Sequence, residues 1–295
     1  MFLNTSKISF FKKVAAKLKS PAINKFINDI VVKELELRLN INYYDNPEDK
    51  DENTDKNIIW FCWYQGLENA PVLVKKCYNQ ILINKPADYD VILITDENYK
   101  YYLNLPDYII EKYHSGIISK AHFSDILRFS LLAEYGGLWA DSTIFTLKNI
   151  NFIENKAFFT LKNASYDPYT TISYGLWTGY FIGFNNVFYI PCFVRDCFYK
   201  YWETENKLFD YYFIDYAILL AYKKIPQFRN LIKELDYYGN NRFFLKNKLN
   251  EAINQADDLL LAADSVKIYK LSNKIKMKEF TENNKMTYYK KYIID

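Results

Sequence analysis

The residues best suited to chemistry lie close together in the chain. Asp125 and Arg128 stand three apart in a segment that begins at Ser119, and Asp141 follows the apolar run Leu138-Trp139-Ala140. A carboxylate at a strand end, beside a helix presenting a second carboxylate and a guanidinium, can hold a polar, anionic ligand, with or without a metal ion. The same i,i+3 spacing also suits a surface ion pair worth only a few tenths of a kcal/mol. Asp215 is a lone acid in the apolar run Tyr211 to Leu220. A charge there either pairs with a basic residue or faces a site, because charged groups are rarely buried alone. Aromatic and glycine residues gather at Tyr174, Gly175, Trp177, Gly179, Tyr180 and Gly183, a pattern that suits close approach to a ligand or core packing.

The elements that must carry these groups alternate between strand and helix. Ile58 to Trp63 is a short apolar run, which predicts a buried parallel strand. Pro71 is placed to open a helix with Leu73, Cys77 and Ile81 on one face. Val91 to Ile94 predicts a second strand, and another helix follows Pro106. Phe123, Ile126, Leu127, Leu131 and Leu132 form a stripe of helical period. Gly136-Gly137 ends that helix, the first glycine being free to take the left-handed C-terminal conformation. This alternation implies a parallel sheet with right-handed crossovers, in which ligands sit beyond the carboxyl ends of the strands. That rule delivers Trp63, Tyr64, Gln65, Asp96 and Asn98 to the edge where Asp141 lies.

Composition narrows the class. Eight Gly and eight Pro in 295 residues, against 28 Tyr, 22 Phe and 5 Trp, exclude a disordered or collagen-like chain. A balance of 38 basic and 35 acidic residues gives no nucleic-acid footprint over the whole chain, and the basic residues are not interleaved with aromatics in a stripe. Cys62, Cys77, Cys192 and Cys197 lack metal-binding spacing and read as free thiols, with a bridge between Cys192 and Cys197, five apart, as the alternative. No apolar run approaches the ~18 residues of a membrane span and the N-terminus lacks signal-peptide features, so a cytoplasmic protein is expected. The first 28 residues carry Lys7, Lys12, Lys13, Lys17, Lys19 and Lys25 and no acid. Phe11, Val14, Ala15 and Leu18 recur at helical spacing, predicting a basic amphipathic helix over 7–19 that stops near Pro21. It either lies on an anionic membrane surface or packs on the protein with its lysines solvated. The polar stretch 44–56 reads as a linker.

Ser124-Asp125 with Arg128, the double glycine and the strand ending in Asp141 together resemble glycosyltransferase family 32 and its relatives, particularly the capsular polysaccharide synthesis proteins. The stretch from Trp60 to Pro71 looks like that family's opening strand and loop, and Tyr269 to Lys274 is similar to a lysine-containing stretch of the capsular branch. The three matches keep their order across 57–275. The resemblance implies an α/β fold of the GT-A type: a Rossmann-like, mostly parallel sheet flanked by helices over 57–275, with a helical segment at 1–43 and a C-terminal tail at 276–295. It further implies a retaining hexosyltransferase that moves sugar from a nucleotide-diphospho-sugar, a uridine-linked hexose or N-acetylhexosamine, to a polysaccharide or lipid-linked oligosaccharide.

Carried over by position, the resemblance puts Trp63 on the nucleobase and Asp96 in the donor site. It sets Ser124, Asp125 and Arg128 on hydroxyls and phosphate oxygens of the donor. Asp141 takes the place of the first acid of the family's Asp-x-Asp motif, and Thr143 stands where the second acid would be. The charge of the departing diphosphate is then met by manganese or magnesium at Asp141 and Thr143, by Lys270 and Lys274, or by both. Peripheral contact with the inner face of the membrane through 7–19 follows from the first of the two readings of the basic helix, and a helix packed on the protein from the second. The other reading is a degenerate, non-catalytic partner that holds nucleotide sugar or glycan for another transferase.

Overall fold

In the computed structural model, residues 5–41, 57–154 and 156–295 are described; the linker expected at 44–56 lies outside them. The chain opens with two helices, α1 (Thr5–Lys17) and α2 (Pro21–Leu39). Pro21 does stop the first helix, but it also opens the second, where its missing N–H costs nothing. The Ser20 side chain caps that second helix by accepting from the Ile23 N–H, as N-cap residues do. α1 is not a free surface helix. Ile8 and Ala15 are fully buried, and the helix packs on α2.

The centre follows the expected alternation. β1 (Ile58–Cys62) is buried along its whole length, α3 (Val72–Asn84) buries Leu73, Cys77 and Ile81, and β2 (Asp90–Ile94) follows. Next come the short α4 (Tyr99–Tyr102), α5 (Asp107–His114) and α6 (Lys120–Tyr135). α6 runs into β3 (Gly137–Ala140). β4 (Ile144–Thr146), β5 (Phe158–Thr160) and β6 (Phe181–Phe184) complete the middle of the chain. After them come α7 (Tyr189–Thr204), α8 (Phe213–Lys224), α9 (Pro226–Glu234), α10 (Phe244–Lys248), α11 (Gln255–Ala263) and β7 (Ile268–Lys270).

Five strands form the main sheet in the order β2-β1-β3-β6-β5. β1 pairs in parallel with both β2 and β3, while β6 runs antiparallel to β3 and β5. Four strands thus share one direction and β6 is reversed. Because β6 starts at the edge where the others end, the residue before it, Tyr180, arrives beside Asp141, whose N–H donates to the Tyr180 carbonyl (2.9 Å). α6 and α7 pack together on one side of the sheet. Within this contact the Trp202 indole N–H donates to His122 Nε2 at 2.9 Å.

The turn from α6 into β3 needs both glycines. Gly136 and Gly137 both have positive φ, 66° and 85°. A Cβ on Gly137 would sit 2.4 Å from the Ile58 carbonyl oxygen of β1. Only glycine lets β3 lie this close to β1 in that conformation. A two-stranded antiparallel sheet, β4 with β7, sets Lys270 opposite Ile144. The C-terminal segment also packs inward, with Thr287, Tyr288 and Ile293 buried.

Candidate active site

At the carboxyl edge of β1 and β3 a cleft of about 290 Å³ opens. It is lined by Cys62 from the end of β1, Ser124, Asp125 and Arg128 from α6, Asp141 and Ser142 after β3, Gly179 and Tyr180 before β6, and Tyr211, Tyr212 and Asp215 at the start of α8. This is where doubly wound sheets bind ligands. α6 is held in place by its Ser119 N-cap, which accepts from the His122 N–H, and by its buried stripe Phe123, Ile126, Leu127, Leu131 and Leu132. Residues 124, 125 and 128 therefore project over the end of the sheet.

An ion-pair chain crosses the floor of the cleft. Arg128 Nη1 lies 3.2 Å from Asp125 Oδ1, and Arg128 Nη2 lies 3.1 Å from Asp141 Oδ1. Lys270 Nζ donates to Asp141 Oδ2 at 2.7 Å, and the Trp139 indole N–H donates to Asp141 Oδ1 at 2.8 Å. Arg128 is only 5% exposed, so the spacing of Asp125 and Arg128 marks a buried pair and not a surface one. Its guanidinium also stacks over the Trp139 ring, 4.9 Å from the centroid. Its Nε is buried without a hydrogen-bond partner among the described residues.

The carboxylates of the cleft differ in proton affinity. Burial pushes Asp125 up to about 7, with Arg128 opposing. Burial likewise raises Asp215 to about 6, opposed by the Trp177 hydrogen bond, Lys12 and Arg128. Burial alone would raise Asp141 too, but Lys270 and Arg128 hold it below the ordinary carboxylate range. His122, lowered to about 3 by burial, is neutral at neutral pH. The Cys62 thiol is driven up to about 12, chiefly by burial, which removes it as a nucleophile.

The expected site residues do not all meet here. Ser124, Asp125, Arg128, Asp141 and, through its ion pair, Lys270 converge. Asp96 lines a second cleft at the end of β2, of about 470 Å³, with Tyr99, Tyr113 and Lys120. There the Tyr113 hydroxyl donates to Asp96 Oδ1 at 2.8 Å. The two clefts are neighbours across the first turn of α6, where Lys120 faces one and Ala121 the other. Trp63 lines neither. It is half-buried against the core, with an indole N–H that has no partner among the described residues. Lys274 is exposed after β7 and stays outside the cleft.

Of the glycine-rich aromatic stretch, only Gly179 and Tyr180 reach the cleft. Trp177 is buried and donates to Asp215 Oδ1 at 3.0 Å. Tyr174 is held by Asn28 of α2, which donates to its hydroxyl at 3.1 Å. Gly183 abuts the Gly137 carbonyl within the sheet. Asp215 does face the cleft, the signal for it being one acid in an apolar helical run. Tyr211 and Tyr212 carried no signal of their own in so aromatic a chain.

A divalent ion suits this donor set poorly. Both Asp141 oxygens are already engaged by nitrogen donors. Thr143 is buried, with its carbonyl accepting from the Leu271 N–H at 2.8 Å, and it does not line the cleft. Among the described residues no group of three metal-ligating side chains forms.

Fold and cleft together define an α/β protein with a polar, charge-paired site at the carboxyl edge of a mostly parallel sheet. Residues 8–292 match the family of capsular polysaccharide synthesis proteins, and the chain belongs to it. That membership gives it a role in capsule biosynthesis. No curated protein and no solved structure matches the chain. Among the described residues, no helix is long and apolar enough to cross a membrane.

Proposed function

We propose that the protein is a retaining glycosyltransferase that draws on a nucleotide-diphospho-sugar and extends a capsular polysaccharide or its lipid-linked precursor. The observation that carries this reading is the chain Asp125–Arg128–Asp141–Lys270, placed at the sheet edge in a member of a capsule-synthesis family. The nucleoside end of the donor lies at the β2 edge with Asp96 and Tyr113, and the diphosphate and sugar lie over α6. Arg128 and Lys270 supply the positive charge that the diphosphate requires, the guanidinium fork matching phosphate oxygens. Asp125 and Ser124 accept and donate hydrogen bonds to sugar hydroxyls.

Transfer breaks the bond between the anomeric carbon and the diphosphate oxygen and forms one to the acceptor oxygen on the same face. The acceptor's proton passes to the leaving diphosphate. Fixed cations aimed at that developing charge lower the barrier. With Asp141 holding Arg128 and Lys270 in position, the two cations fill the role assigned elsewhere to a metal.

The engaged state of Asp141 also favours a second reading, a non-catalytic holder of nucleotide sugar or glycan. A thermal-shift panel of uridine- and guanosine-linked sugars, with and without manganese, followed by mass spectrometry of the products, separates the two. Stabilisation with turnover supports the transferase, stabilisation without turnover the holder, and no stabilisation by any nucleotide sugar overturns both.

We also propose peripheral contact with the inner face of the membrane. On α1, Phe10 and Phe11 face outward, Leu18 is exposed just after it, and on α2 an outward stripe, Phe26, Ile30 and Leu37, is up to 73% exposed. Lys17, Lys25 and Lys33 are exposed on the same two helices and Lys19 in the turn between them, a combination that anionic lipid attracts. Lys12 is excluded from this face, since it turns inward onto Asp210 and Tyr216.

A further inference from the structure

Beside the candidate donor cleft lies a larger basin, of about 530 Å³, between α1, the loop 170–173 and the start of α8. Tyr211, Tyr212 and Asp215 line both spaces, so the two adjoin at these three residues. The basin is built, not incidental. Asn24 of α2 donates to the carbonyls of Pro168 and Thr171 at 3.1 and 3.0 Å, and Asn28 donates to Thr171 at 3.4 Å. These buried amides fix the loop as the basin's wall. On the helical side Lys12 lies 3.8 Å from Asp210 Oδ2 and 4.8 Å from the Tyr216 ring centroid. α1 thereby becomes another wall.

We propose that this basin is the acceptor subsite and that it takes a neutral sugar ring, presenting one hydroxyl past Asp215 to the donor cleft. The inference rests on the transferase reading. Its chemical class follows from the lining. Lys12 and Lys13 stand among Asp210 and Asp215, a mixed set of donors and acceptors suited to neutral hydroxyls. Carboxylates, an ammonium and the Thr170 hydroxyl bind sugar hydroxyls, while the exposed rings of Tyr211 and Tyr212 offer flat apolar faces for the C–H side of a pyranose. The N-terminal helix is accordingly part of the binding machinery and not an appendage.

The test uses the full chain with its donor cleft filled by UDP. Binding of the methyl glycosides of glucose, galactose, mannose and N-acetylglucosamine is followed by saturation-transfer NMR. At least one glycoside is expected to bind, and Ala16→Trp, which fills the basin from α1, is expected to weaken it at least tenfold while UDP affinity changes less than twofold. Thr170→Arg, on the opposite wall, gives the same result if Ala16→Trp does not fold. Absence of glycoside binding to the wild type, or binding indifferent to both substitutions, overturns the proposal. Failure of UDP to bind the wild type counts instead against the donor reading, and glycoside binding that is still blocked by Ala16→Trp leaves the basin standing as a sugar site.

Discussion

Arg128 is shared by two carboxylates of opposite tendency: Asp125 is pushed toward protonation, and Asp141 is held ionised. Replacing Asp125 by Asn keeps the shape and removes the charge. We expect it to lower kcat/KM for transfer by about 100-fold, or ~2.7 kcal/mol, with an unchanged circular dichroism spectrum. The pH dependence of stability has a definite sign. An Asp that titrates near 4 in the unfolded chain and at about 7 when folded leaves the folded state holding the extra proton. Its contribution is full below about pH 4 and is lost as pH rises through 7. His122, neutral when folded, acts the other way below about pH 6.5, so the comparison must be differential. Urea unfolding at pH 6, 7 and 8 should show wild type losing stability relative to Asp125→Asn, and parallel curves would show that Asp125 does not titrate in this range.

At the scale of elements, the α6–β3 corner is the part of the site most legible in the sequence. The apolar stripe, Gly136-Gly137 and the run ending in Asp141 are local signals, each sufficient for its own turn of chain. Gly137→Ala forces a Cβ against the Ile58 carbonyl at positive φ. We expect a loss of about 2 kcal/mol or more in chemical denaturation. What local signals do not carry is which distant element arrives beside this corner. Lys270 comes through the β4–β7 ladder, and Asp215 comes through the packing of α7 on α6 and α8. The reversed strand β6 hid behind glycines that suggested ligand approach, although Gly183 serves strand packing. Trp63 shows the converse: it stands at the end of β1, yet its ring packs against the core and lines neither cleft.

For the whole molecule, charge neutralisation by resident side chains has a consequence in solution. Transfer is expected to survive exhaustive treatment with EDTA, measured as product formed in metal-free buffer, and loss of turnover that manganese restores would assign the role back to a metal. The basic, aromatic outer face of α1 and α2 makes a separate expectation. The protein should sediment with vesicles of anionic phosphatidylglycerol and less with phosphatidylcholine alone. Phe11→Ser with Phe26→Ser, both on exposed side chains, should reduce that binding without altering the melting temperature. Equal sedimentation of the variant would remove the face from consideration.

The hydrogen bond from the Trp139 indole to Asp141 also makes the protein report on itself optically. An indole locked to a carboxylate and faced by a guanidinium emits in a field set by those charges. Of the five tryptophans, Trp60 and Trp202 are buried on partners outside the cleft, Trp63 does not line it, and Trp177 reaches it only through its hydrogen bond to Asp215. A ligand that draws Arg128 or Lys270 toward itself should therefore shift the emission of Trp139 above all, and Trp139→Phe should silence that shift, allowing donors to be screened by intrinsic fluorescence before any acceptor is in hand.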